Sequence, residues 1–188
     1  MILSTMQPPA VWEAIQATGV YRPEESLMET LPDFKPAYEW MVKQMESRIG
    51  PRPDGVQWPV WAWYMNNNRT GHLDLRRSEN RCFEPSVCIE IEIPNDQVLL
   101  SAFIDWHDVL NDGFCTNDLD EYEALEKLTE ALPAEEAKRI KEETWTQIFD
   151  LSPRPEGPVS DIQATFWQLR LEQVRCVRRC RTYKNKGF

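Results

Sequence analysis

The stretch VCIEIEIPNDQVLLSAFIDWHDVL, residues 87–110, changes its hydrophobic period halfway along. From 87 to 93, apolar residues alternate with a cysteine and two glutamates. This two-residue period predicts a half-buried strand whose second face meets water or a cleft. Pro94 ends the strand. The apolar residues 98–104 then lead into the cluster Asp105-Trp106-His107, where the chain is predicted to be helical.

Four further segments are predicted to be strands, because they alternate in period two or are dense in aromatic and β-branched residues. They are residues 2–6, 58–65, 162–169 and 174–183, the last at an edge of the sheet. In WPVWAWYM, residues 58–65, an extended chain places Trp61 and Trp63 on one face and Tyr64 on the other.

Apolar residues recur at steps of three and four in four segments, which predicts amphipathic helices. The predicted starts are Pro9, Asp33, Asn117 or Asp118, and Pro133, with prolines in first turns and Asp or Asn as N-caps. Residues 66–85 are polar and predict a long loop or a ragged hairpin. Strands at both ends and in the middle, with helices between them, predict an α+β fold with a mainly antiparallel sheet.

The composition limits the classes of function. A length of 188 residues fits one globular domain, residues 1–188. The formal net charge of −10 disfavours a nucleic-acid partner, for which Arg178 and Arg179 are the only basis. The sequence shows neither an apolar run of about 18 residues nor the features of a signal peptide, so we expect a cytoplasmic protein with no membrane contact.

The five cysteines form an odd set without a CxxC motif, which favours reduced thiols over a disulfide framework. With two histidines, His72 and His107, the chain offers few ligands for zinc, and no metal site is predicted.

Two polar clusters are candidates for a binding site. His72 and Arg76 flank Asp74 in the polar loop, where an arginine fork suits phosphate or carboxylate; the alternative is a mobile basic loop. Asp105 and His107 form the second cluster, although neighbouring helical positions point in different directions. His107 is alternatively a hydrogen-bonded interior histidine.

The chain resembles a bacterial family described as domain of unknown function 3841. The similarity rests on TMQPPAVWEAIQATGVY, YEWMVKQM, PVWAWY, VLLSAFIDWHDVLN, IQATFWQLRLEQV and the triplet Asp74-Leu75-Arg76. It covers most of the chain and carries no activity. The order of a first strand running into WEAIQ, an aromatic strand, a strand ending in IPNDQVLL and a late strand also resembles the ADP-ribosyltransferase-like fold. That resemblance implies a split antiparallel sheet with flanking helices, whose two halves flank a cleft that holds NAD.

The second resemblance implies key residues on three strands. It places Thr5 where a first-strand His or Arg binds NAD. On the second strand, Tyr64 helps to hold the nicotinamide, with Trp61 or Trp63 as a stacking face. On the third, Gln163 takes the place of a glutamate that stabilises the cation formed as nicotinamide leaves. The alternatives are that Tyr64 belongs to the core and that Gln163 faces outward.

The amide of Gln163 carries no charge with which to stabilise this cation. Either a carboxylate such as Asp74, Glu90 or Asp105 stabilises it instead, or the domain binds its ligand without reacting. Arg76 is expected to meet the NAD phosphates, and Asp105 and His107 to contact the cofactor. The first hypothesis is an NAD-dependent ADP-ribosyltransferase-like enzyme of unknown acceptor. The second is a non-catalytic domain of the same fold that binds a ligand or a protein.

Overall fold

The computed structural model describes residues 1–154 and 157–183; residues 155–156 of the predicted linker and 184–188 lie outside the described part. Its strands are β1 (Ile2–Gln7), β2 (Val20–Tyr21), β3 (Val60–Asn66), β4 (Arg69–Thr70), β5 (Val87–Glu92), β6 (Leu99–Ala102), β7 (Ile162–Phe166), β8 (Leu169–Arg170) and β9 (Val174–Arg179). Its helices are α1 (Pro9–Thr18), α2 (Leu27–Thr30), α3 (Lys35–Ile49), α4 (Phe103–Leu110), α5 (Leu119–Glu130) and α6 (Ala134–Trp145).

Seven strands form one sheet in the order β6-β7-β3-β1-β5-β9, with β4 paired to β3, and each of these pairs is antiparallel. Strands β2 and β8 form a separate two-stranded ladder. The predicted α+β class with a mainly antiparallel sheet is therefore confirmed. The order of strands and helices along the chain was the basis of this prediction, and the two-residue period identified β5 and β7 as strands.

The sheet consists of two halves that meet at one point. Strands β1 and β5 pair along their whole length, from Ile2–Glu92 to Gln7–Val87. Strands β1 and β3 pair only at Ser4 and Trp63. The predicted separation into two sheets thus differs from the observed arrangement, in which the ladder pair Ser4–Trp63 and a hydrogen bond from Thr5 Oγ1 to Trp61 O join β6-β7-β3 to β1-β5-β9.

Each face of the sheet has its own apolar layer. One face packs against α1, and its core includes Leu3, Ile15, Ala62, Ile89, Ala164 and Phe166. The other face, over β6, β7 and β3, packs against α3, α4 and α6, and its core includes Trp40, Met41, Leu99, Trp106 and Trp145. Among the described residues, none of the helices has both the length and the apolar composition that crossing a bilayer requires.

The helix starts follow local signals in part. Helix α1 begins at Pro9, and Gly19 closes it in the left-handed conformation with φ of 79°. Asp118 caps α5 by accepting a hydrogen bond from Asp120 N, as predicted. The predicted N-cap at Asp33 is wrong, because the chain forms a 3-10 turn over Pro32–Phe34 before α3 begins at Lys35.

Strand β5 is buried on both faces from Val87 to Ile91 and exposed at Glu92, whereas its sequence predicted a second face directed to water or a cleft. The covering layer is the segment 71–73, which the strand pattern of β5 does not reveal. Ser4 Oγ donates to Gly71 O over 3.2 Å and accepts from Leu73 N over 3.4 Å. Arg178 Nη2 donates to Leu73 O over 2.9 Å, which holds the segment against β9 as well.

Candidate functional site

A row of mostly polar residues crosses the sheet on the face opposite α1. From β6 to β9 this polar row consists of Ser101, Gln163, Trp63, Ser4, Glu90 and Cys176, each paired with the next. Paired residues of neighbouring strands carry their side chains on the same face. The fold therefore aligns on one surface side chains that lie far apart in the sequence.

Three atoms of the polar row are buried without a hydrogen-bond partner among the described residues: Ser101 Oγ, Gln163 Oε1 and Glu90 Oε2. Buried polar side-chain atoms in folded proteins normally have a partner, and each exception requires an explanation. Ser101 and Gln163 are neighbours across β6 and β7. Two buried oxygens without hydrogen-bond partners therefore lie side by side at this end of the polar row.

Three aromatic rings form a strip beside Gln163. The centroids of Trp63 and Phe103 are 4.8 Å apart, and those of Phe103 and His107 are 4.5 Å apart. Trp63 belongs to β3 and Phe103 follows β6, so the two rings come from both sides of β7. Trp63 and Phe103 are partly exposed, and His107 is exposed. This aromatic strip (Trp63, Phe103 and His107) offers flat surface to a ligand.

Glu90 lies at the other end of the polar row, below the polar loop. Its side chain is 9% exposed, and Nδ1 of His72 contacts its Oε2 in a geometry that makes no hydrogen bond. The segment 71–73 crosses the row above Ser4, between Trp63 and Glu90. Glu90 and Trp63 are two strands apart, roughly 10 Å at the usual strand spacing. The carboxylate is therefore separated from the aromatic strip by a stretch of backbone.

A family model described as Domain of unknown function (DUF3841) matches residues 2–175. The chain belongs to this family. The match contains the aromatic strip and every member of the polar row except Cys176, so the candidate site is part of the DUF3841 domain itself. No curated protein and no solved structure shows significant similarity to the chain.

The polar loop of the DUF3841 domain is held to the sheet by asparagines. Asn67 and Asn68 adopt positive φ of 51° and 59° in the turn between β3 and β4. Asp161 Oδ1 accepts hydrogen bonds from Asn66 Nδ2 over 3.1 Å and from Asn67 N over 2.9 Å. Asn80 Nδ2 donates to Asn66 Oδ1 and to Asp74 O, over 3.1 and 3.0 Å.

We expect Asn80→Ala to lower the free energy of unfolding by about 2 kcal/mol, because it removes two donors and leaves partly buried acceptors unpaired. Asn80 is buried. Arg69→Ala, on the exposed β4, is the control and should change stability by less than about 0.5 kcal/mol. Urea unfolding of both variants measures the difference, and equal effects would contradict a clamping role for Asn80.

Asp74 and Asp105, two carboxylates that the sequence analysis proposed for the site, are each bound to an arginine. Arg76 is exposed and binds Asp74 through two hydrogen bonds of 2.9 and 3.0 Å. These bonds hold the pKa of Asp74 well below its usual range. Asp105 is buried and forms a two-point ion pair with Arg154, with 2.8 Å between Nη1 and Oδ1. Both carboxylates are already neutralised by an arginine.

The predicted NAD-site residues divide between the two faces of the sheet. Trp63 and Gln163 lie on the polar row, and His107 extends it. Tyr64 packs against the core on the α1 face. Thr5 is buried, pairs with Ile89 of that core and donates from Oγ1 to Trp61 O over 2.7 Å.

Trp61 packs inside the helical layer of the DUF3841 domain, with ring centroids 5.9 Å from Tyr38 and 4.8 Å from Trp106. His107 is exposed rather than interior, and its Nδ1 lies 2.9 Å from Phe103 O. The structure therefore brings Trp63, Gln163 and His107 together, and it places Thr5, Tyr64, Trp61, Arg76 and Asp105 elsewhere.

Sequence reasoning missed Ser4, Ser101, Phe103 and Asp161. Asp161 stands two residues before Gln163, and Ser101 stands two before Phe103. In an extended chain this spacing puts both members of a pair on one face. The two-residue period around Gln163 was therefore a usable signal for Asp161, whereas Ser4 is identified only by its pairing with Trp63.

A hollow of about 770 Å³ lies between α4, α5 and α6. Its described lining includes Phe114, Lys141 and Trp145 but none of the predicted site residues. It is thus separate from the polar row.

Proposed function

We propose that this DUF3841 chain is an ADP-ribosyltransferase-like protein that binds NAD on the polar row. The observation that carries the proposal is the position of Gln163. It is the residue that the resemblance aligns with the ribose-contacting glutamate, and it lies between β3, which carries Trp63, and β6, which Phe103 follows. In the fold of the resemblance two small sheets flank the nucleotide, whereas here one sheet contains both halves, joined by the pair Ser4–Trp63.

The chemistry of the polar row matches the nicotinamide end of NAD. Trp63 presents a partly exposed indole on which a pyridine ring can stack. Gln163 Oε1 and Ser101 Oγ are unpaired acceptors beside it. The carboxamide of nicotinamide supplies two N–H donors, which is the complement that these oxygens require.

A second candidate is a domain that binds the nucleotide without cleaving it. Gln163 has no charge with which to stabilise an oxocarbenium-like centre. Asp74 and Asp105 are bound to arginines, and the segment 71–73 separates Glu90 from Trp63. Asp161 is close along the chain, but its carboxylate accepts bonds from Asn66, Asn67 and Ser160. Because these carboxylates are already bound to other groups or separated from Trp63, the natural sequence favours binding of NAD over its cleavage.

The proposal is tested by titrating the purified chain with NAD while following tryptophan fluorescence. We expect saturable quenching, and Trp63→Ala should raise Kd about tenfold, since stacking on an indole contributes roughly 1–3 kcal/mol per base. Tyr64→Phe is the control, because Tyr64 packs on the α1 face, and it should leave Kd unchanged.

Calorimetric titration of the same variants removes the dependence on Trp63 as a reporter. Absence of binding at millimolar NAD would overturn the proposal. Equal losses in Trp63→Ala and Tyr64→Phe would show that the ligand does not use the polar row.

A further inference from the structure

Two cysteines that are distant in the sequence meet where β9 ends. Cys82 forms an isolated parallel bridge with Thr182, and Tyr183 N donates to Cys82 O over 2.9 Å. Cys180 N donates to Ser86 O over 2.9 Å, so the chain on both sides of Cys180 is paired with the segment 82–86. Cys180 stands two residues before Thr182, the bridge partner of Cys82, and this pairing places the two cysteines side by side. Both are free thiols in the structure.

The two thiols differ in access. Cys180 is partly exposed and lines a hollow of about 510 Å³ together with Trp12, Pro85 and Thr182. Cys82 is buried behind it. A small reagent in this hollow therefore meets Cys180 first, and Cys82 is positioned to react second.

We propose that Cys82 and Cys180 are a dithiol pair that a low-molecular-weight disulfide oxidises to a reversible intramolecular disulfide. In the first step the Cys180 thiolate attacks one sulfur of the small disulfide, which releases one small thiolate and leaves a mixed disulfide. In the second, the Cys82 thiolate attacks Cys180 Sγ and releases the other small thiolate. The two protein thiols lose their protons to solvent and two electrons pass to the small disulfide, which becomes two thiols.

The proposed disulfide between Cys82 and Cys180 joins the polar loop to the end of the edge strand β9. Residues 67–86 carry His72, and the segment 71–73 lies over Ser4 of the polar row. A covalent bond at Cys82 therefore restrains the loop at its C-terminal end. The proposal stands on the position of the thiols alone and does not depend on NAD binding.

The surroundings of Cys180 make the exchange slow at neutral pH. Burial, followed by the neighbouring Cys82 thiol, raises the pKa of Cys180 to about 12, whereas Arg178 opposes this shift. Arg178 Nη2 lies 3.7 Å from Cys88 Sγ. Cys82 is the expected partner of Cys180, because Cys82 pairs with Thr182, two residues beyond Cys180.

The test is incubation of the purified full chain with excess oxidised glutathione, followed by digestion with trypsin and chymotrypsin without reduction. Cleavage after Arg81, Phe83, Arg175, Arg178 and Arg179 separates the relevant cysteines. We expect a cross-linked peptide pair containing Cys82 and Cys180, with a mass 2 Da below the sum of the reduced peptides. The linked protein should also melt higher, by on the order of 5 °C, and return to its original melting point after dithiothreitol.

Cys176→Ser is the matched control, because Cys176 is exposed on the same strand, and it should leave the cross-link intact. Cys180→Ser should abolish the cross-link, and its circular dichroism spectrum reports whether it is folded. A link from Cys180 to Cys88, or glutathione adducts without any internal link, would overturn the proposal.

Discussion

Replacing Gln163 by glutamate is expected to raise the rate of nicotinamide release from NAD by about 100-fold over the natural chain, the scale of one preorganised electrostatic group. The substitution keeps the shape of the side chain and adds a carboxylate at the position that the resemblance assigns to catalysis. When the bond between ribose and nicotinamide breaks, positive charge develops on the sugar, and a negative charge beside it stabilises the transition state. Trp63 and Ser101, the cross-strand neighbours of Gln163, would hold the leaving group in place.

The rate of nicotinamide release by Gln163→Glu is also expected to depend on pH. Gln163 is partly buried and stands two residues from Asp161, so both desolvation and a like charge disfavour ionisation of the introduced carboxylate. The gain should therefore be larger at pH 8 than at pH 6. Release of nicotinamide, followed by liquid chromatography, measures the rate.

Gln97→Glu is the control for this experiment, because it adds the same charge at an exposed position away from the polar row. It should release nicotinamide no faster than the natural chain. If Gln163→Glu binds NAD with unchanged affinity and still releases nothing, the domain is a binding module and the catalytic proposal fails.

Arg154→Ala is expected to lower the free energy of unfolding by about 3 kcal/mol. Arg154 holds Asp105 through both oxygens, and the Asp105 side chain is 8% exposed. Removing one member of a buried ion pair leaves the other charge without compensation, which typically costs about 3–5 kcal/mol. We expect the lower end of this range, because the Arg154 side chain is itself 21% exposed and water can enter. Urea unfolding measures the change.

The chain supplies a matched control in a second arginine–aspartate pair. Arg76 binds Asp74 with the same two-point geometry, but its side chain is 89% exposed. Arg76→Ala should therefore lower the free energy of unfolding far less than Arg154→Ala, because solvent screens an exposed pair. Equal losses in Arg154→Ala and Arg76→Ala would show that burial does not set the strength of the pair at Asp105.

The charge of Asp105 also affects the pKa of Asp108, which lies on the same helix. Burial, followed by the charge of Asp105, raises the pKa of Asp108, whereas Arg154 opposes this shift. An aspartate whose pKa is raised in the folded state favours the native state at low pH, and this contribution is lost as pH rises through the folded pKa. Without Arg154 the pKa of Asp108 should rise further, so the variant should lose more stability at pH 7 than at pH 4.

Much of the fold could be predicted from the sequence, because the signals are local. The alternation in β5 and β7 and the three-and-four spacing of α3 identify the elements, since strands and helices have fixed periods. Gly19 and Asp118 marked helix ends through the conformation or side-chain oxygen that each residue provides. The site was harder to predict than the fold. The sequence shows which face of a strand a residue occupies, but it does not show which residues lie beside it on the neighbouring strands.

By itself, the sequence determined the five longest strands and the five longest helices, the α+β class and the opposite orientation of Tyr64 and Trp63. Only the tertiary structure decided that Ser4, Trp63 and Gln163 share one row, that the segment 71–73 covers β5, and that Arg154 meets Asp105. The physical reason is that the backbone period acts over a few residues. Strand register, loop placement and the pairing of buried charges depend instead on contacts between residues tens of positions apart, which no local pattern specifies.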